Sequence, residues 1–147
     1  MKPRLSKKSI YIDSNVFIYS AIYNPKTVPE AATSTAKLHE MVSGTIHAYT
    51  SALTWDEVTW VVRKLFDPQK AAAEGASFLR LPNLKLLNVD GATITNAQSI
   101  MEEYALKPRD AIHAATALTN GLHRILSFDK DFDAIPDLTR IEPGREK

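Results

Sequence analysis

The chain has no cysteine among its 147 residues. That excludes a disulfide framework and a thiolate metal site, and leaves oxygen and imidazole as the available ligands. Long apolar runs are also missing, and no window approaches the length of a membrane span. No secretory leader is read at the N-terminus, because the apolar residues after Lys7 and Lys8 are interrupted by Asp13 and Asn15 and no small-residue cleavage pattern follows. The expected location is the cytoplasm. Nor is there a strong charge of one sign: the formal net charge is +1, so attraction for nucleic acid would have to act locally. Without internal repeats, low-complexity segments or linkers, one domain is expected over residues 9–147, behind a loose basic tail over 1–8 that carries Lys2, Arg4, Lys7 and Lys8.

What is present is a succession of strand-then-helix units. Ile10 to Ile12 reads as a buried strand ending on Asp13, and Asp13, Ser14 and Asn15 are helix-capping residue types. Further strands are expected near 45–50, 84–89, 123–127 and 138–141, with helices over 14–23, 30–42, 51–65, 69–81, 93–104 and 110–120. Ala111, Ala114, Ala115 and Leu118 fall at helical spacing, and a face of alanine lets that helix approach a sheet closely. Strands alternating with helices, and few hairpin signals, imply a three-layer α/β/α sandwich around a mainly parallel twisted sheet.

Four acids occupy equivalent places in this pattern. Asp13 and Asp129 follow strands, Glu57 lies in the first turns of a helix after a strand, and Asp110 opens another helix. In parallel units all such positions lie on one edge of the sheet, so the four should converge. Each has a plainer reading as a cap or as a charge favoured by a helix dipole. Crowded carboxylates repel, however, and a cluster of them is most readily kept when a cation neutralises it. An all-oxygen set suits Mg²⁺ or Mn²⁺, which keep water positions open for a phosphate. The reaction class this suggests is metal-assisted phosphodiester hydrolysis.

The segments Ile10–Phe17 (IYIDSNVF), Thr54–Val58 (TWDEV), Arg109–Leu118 (RDAIHAATAL) and Leu126–Phe132 (LSFDKDF), in this order and spacing, resemble the four motifs of PIN-domain ribonucleases. The closest resemblance is to the VapC-type toxins of toxin–antitoxin pairs. It implies divalent-metal-dependent cleavage of RNA, a small antitoxin protein as partner and a homodimer. Asp13, Glu57 and Asp110 would be the core metal ligands, completed by Asp129, with Asp131 able to contribute instead or as well. Ser14, Asn15 and Ser127 match polar positions that orient ligands or water. For RNA phosphate the candidates are Arg109, with Lys107 and Lys130 behind it.

Other residues are set aside. His113 is read as a packed helix residue rather than a general base, and His39, His47 and His123 lack the spacing of a zinc site. Trp55 and Trp60 are read as core or interface packing, and Trp60, Phe66 and Phe78 as a face that could pair two copies. Two alternatives stand beside the nuclease reading. One is a non-catalytic PIN-like module that binds RNA or protein; the other is a phosphatase or receiver using Asp13 as nucleophile. Asn15, standing where a second acid would be needed, argues against the latter.

Overall fold

Ser9–Ile12 forms β1, and all four residues are buried, as a strand covered on both faces requires. The computed structural model describes residues 8–145, so the tail expected over 1–8 lies, Lys8 apart, outside the described residues. The chain continues through α1 (Ser14–Ile22), α2 (Pro29–Val42), β2 (His47–Ser51), α3 (Ala52–Leu65), α4 (Pro68–Leu79), β3 (Leu84–Leu87), α5 (Gly91–Tyr104) and α6 (Pro108–Thr119). It closes with β4 (Arg124–Leu126), a 3-10 helix (Lys130–Ala134) and β5 (Thr139–Ile141). The five strands make one sheet in the order β3-β2-β1-β4-β5, with every neighbouring pair parallel. The expected three-layer sandwich is therefore present. Among the described residues no helix is long and apolar enough to cross a membrane.

Side chains alternate along β1 and so divide the core in two. Ile10 and Ile12 pack with Val16, Phe17, Met41, Val58 and Phe78, from the layer of α1 to α4. Tyr11 packs with Ala97, Ala111, Ala114, Ala115 and Phe132, on the side of α5 and α6. The alanine face of α6 is buried as its spacing predicts, and the close approach it allows sets α6 against Tyr11. Phe78 departs from expectation. It lies in the core, edge-on to Phe17, because α4 turns Ala71, Gly75 and Phe78 inward together. Trp60 and Phe66 are exposed, as expected of a surface face, and Trp55 is exposed as well rather than in the core.

From β1 the chain winds outward to β2 and β3, then returns to β4 and β5 on the other side of β1. This reversal opens a crevice beyond the carboxyl ends of β1 and β4, where doubly wound sheets gather ligands. The Asp13 N–H donates to the Leu126 carbonyl at 3.0 Å, which ties the two strand ends together at that point.

Candidate active site

Asp13 caps α1 from an extended backbone, with its Oδ1 accepting from the Ser14 N–H at 2.8 Å. Its Oδ2 accepts from the Ser127 hydroxyl at 2.7 Å. Ser127 Oγ in turn accepts from the Asp129 N–H at 2.9 Å and from the Asn15 amide at 3.3 Å. Ser14, Asn15 and Ser127 thus surround Asp13 as orienting groups, and the same serine fixes the start of the loop that carries Asp129. Asp13 is only 3% exposed. Burial pushes its carboxyl above the ordinary range, a rise that the facing His113 and the Ser127 hydrogen bond only partly offset.

His113 is fully buried on α6, and both ring nitrogens are engaged. Nδ1 lies 2.6 Å from the Tyr11 hydroxyl. Nε2 lies 2.5 Å from Glu57 Oε1 and 3.6 Å from Asp13 Oδ1. Burial alone would lower the imidazole's pKa. Tyr11, the hydrogen bond to Glu57 and the charges of Asp13 and Glu57 together outweigh it, and hold the pKa well above the usual 6.5. The ring thus lies between two carboxylates, Glu57 and Asp13. Reading His113 as a packed helix residue gets its burial right and misses its contacts. Two signals point to them: His113 lies one turn after Asp110, and Tyr11 lies two residues before Asp13, on the same face of the strand.

The remaining acids form a second group. Asp110, in the first turn of α6, has its carboxyl pushed up to about 7. Burial contributes most, followed by the charges of Asp129 and Asp13 and a hydrogen bond with Asp129. Asp129 caps the 3-10 helix, its Oδ1 accepting from the Asp131 N–H at 2.9 Å. Carboxylate oxygens of Asp110, Asp129 and Asp131 all come within 4.8 Å of one another. Glu57, Asp110 and Asp129 line an open cleft of about 640 Å³ together with Lys107, Pro108 and Arg109. Lys107 Nζ stands 3.9 Å from Asp131 Oδ2, and the Arg109 guanidinium lies 6.0 Å from the Trp60 ring centre. Lys130, exposed, begins the 3-10 helix.

The donor set fits a hard divalent cation. Three carboxylate oxygens converge with only the exposed Lys107 beside one of them, and burial, reinforced by anionic neighbours, raises the Asp110 carboxyl to about 7. Such a site favours Mg²⁺ or Mn²⁺ over softer metals. The Asn15 amide oxygen, buried with no hydrogen-bond partner among the described residues, adds an unspent acceptor beside Ser127.

A family model described as PIN domain matches residues 10–138. No curated protein sequence matches the chain significantly. Among solved structures, a toxin–antitoxin complex from Klebsiella pneumoniae is similar at 21% identity and a TM-score of 0.65, covering 91% of this chain and 97% of that one. VapBC2 from Rickettsia felis, solved with a DNA fragment of its promoter, matches at 14% identity and a TM-score of 0.69, over 91% of this chain and 98% of that one. VapC20 from Mycobacterium tuberculosis, described as a sarcin-ricin loop cleaving toxin, matches at 16% identity and a TM-score of 0.68, over 85% and 93%. At these identities the likeness is one of fold.

Proposed function

The chain belongs to the PIN domain family, and from that premise we propose that it is a divalent-metal-dependent endoribonuclease, the toxin of a type II toxin–antitoxin pair, acting in the cytoplasm as a homodimer. The observation that carries this reading is the acid cleft itself. Asp110, Asp129 and Asp131 crowd together at the end of the sheet, Glu57 lines the same cleft, and Lys107 and Arg109 stand at its wall.

Asp110, Asp129 and Glu57, with Asp131 at the rim, would hold the Mg²⁺ or Mn²⁺ ion, and Asp13 stands behind them. A cation bound there supplies Lewis-acid activation of water and neutralisation of the scissile phosphate. The chain's own contribution is position. Ser127 and the α1 cap keep Asp13 fixed, while the capped 3-10 helix presents Asp129 and Asp131 together. Arg109, Lys107 and Lys130 are the groups placed to meet RNA phosphates flanking the cut, where long-range attraction is weak because the net charge is only +1. The toxin–antitoxin complexes among the structural relatives support a small antitoxin as partner.

The deciding experiment incubates purified protein with a mixed set of structured and unstructured RNAs, in EDTA, Mg²⁺ or Mn²⁺, beside D13N and D110N. Cutting in Mn²⁺ or Mg²⁺ that EDTA and both substitutions abolish is the expected result. Inertness of the wild type under every metal, combined with measurable RNA binding, would replace this reading with that of a non-catalytic PIN-like module.

A further inference from the structure

Tyr11, His113 and Glu57 come from β1, α6 and α3, so their contact spans all three layers of the sandwich. A histidine that merely filled space on the alanine face of α6 would need one acceptor for its N–H, and a backbone carbonyl would serve. Here the ring is fully buried, its Nδ1 is held at 2.6 Å by a tyrosine hydroxyl that is itself fully buried, and its Nε2 meets Glu57 at 2.5 Å. The edge-on ring contact, with centres 5.6 Å apart and planes at 65°, fixes the imidazole further. A glutamate has three side-chain torsions to restrain, and Glu57 reaches the cleft from the layer opposite α6. An ionised carboxylate only accepts hydrogen bonds, so the hydrogen between Glu57 and His113 sits on Nε2.

We propose that Tyr11 and His113 are positioning residues which hold the Glu57 carboxylate in the orientation that receives the divalent cation. Tyr11 fixes the rotation of the imidazole, and the imidazole fixes Glu57. The proposal rests on the metal-dependent reading of the cleft. It adds two residues that touch neither cation nor RNA.

The test measures Mn²⁺ affinity calorimetrically on the purified full chain without RNA, at one pH, with a thermal melt on each variant and the kcat and KM of RNA cleavage in parallel. H113M removes the donor at similar volume and should weaken Mn²⁺ binding by about tenfold or more, the range typical of outer-sphere partners. H113Q, whose amide can still donate to Glu57, should recover most of that loss whatever its effect on melting. Y11F, which keeps the aromatic ring, should weaken binding by about threefold and lower kcat more than it raises KM. Folded H113M binding Mn²⁺ as wild type does, or H113Q failing as badly as H113M, would overturn the positioning role while leaving the metal centre intact. Should H113M not fold, unchanged Mn²⁺ affinity in Y11F has the same force. Wild type taking up no Mn²⁺ would overturn the metal-centre reading, and this proposal with it.

Discussion

Asp13 and Asp110 stand at the same edge of one sheet, yet the protein treats them differently. Asp13 is buried and has hydrogen bonds to both oxygens, with the His113 ring 3.6 Å away. Asp110 is half-buried in an open cleft, and the groups that shift it, after burial itself, are chiefly the carboxylates of Asp129 and Asp13. The inner half of the pocket is hydrogen-bonded from within by Tyr11, His113 and Ser127. The outer half has no such frame, and its carboxyl groups face one another across the open cleft. A pocket built this way holds its inner frame by its own hydrogen bonds and leaves the unbalanced charge at the open side, where the proposed cation would bind.

The sharpest break between the two halves is in stability. D13N and D110N should each cut RNA cleavage by more than about a hundredfold, beyond what an outer-sphere residue costs. Only D13N should also destabilise the metal-free protein, by about 2 kcal/mol, since both Asp13 oxygens accept from buried donors and an asparagine would turn an NH2 toward one of them. D110N relieves repulsion and should leave metal-free stability unchanged or raised. Denaturant titrations in EDTA measure this, and equal losses for both variants would erase the distinction.

A second expectation concerns pH. The Asp110 carboxyl titrates near 7 in the folded chain against an ordinary 3.8, so the folded state holds the extra proton across that interval and stability must fall as pH rises through it. Asp13, also raised, acts in the same direction. His113, raised above 6.5, contributes stability that is present in full below 6.5 and lost as pH climbs through its folded value. The melting temperature of the metal-free protein should therefore decline from about pH 5 to about pH 8. Mn²⁺ should oppose the decline at the alkaline end, and D110N should shrink its acidic part. A metal-free protein that grows more stable toward pH 8 would contradict the outer half's unbalanced charge.

The smallest effect separates Asp129 from Asp131. Asp129 lines the cleft and is hydrogen-bonded into the frame through its N–H to Ser127. Asp131 is exposed beside Lys107, in a contact of the kind worth little in water. D129N should reduce Mn²⁺ affinity by about tenfold, and D131N by only about twofold. The reverse order in a calorimetric titration would make Asp131 the principal ligand at the end of β4.

Much of this fold was legible in advance because its signals are local. Capping residues after an apolar run marked the end of β1, acids after an apolar run marked the end of β4, and helical spacing of alanines marked the buried face of α6. The short 3-10 helix, Lys130–Ala134, was not legible, since five residues carry too little periodicity to separate it from a loop. Phe78 went to the core rather than the surface because the register of α4 against α3 decides which side of an amphipathic helix is covered. Exposed Trp55 and Trp60 show the converse, since apolar area gives no guarantee of burial.

By itself the sequence determined the alternation of strands and helices, hence the parallel sheet, and placed Asp13, Glu57, Asp110 and Asp129 at one edge of it. It determined too that any metal would be held by oxygen or imidazole, because cysteine is absent. Only the tertiary structure decided how those acids divide: Asp13 and Glu57 against His113, Asp110 with Asp129 and Asp131. The physical reason is that periodicity records the face on which a side chain lies, whereas a hydrogen bond between residues 56 positions apart depends on how two layers dock.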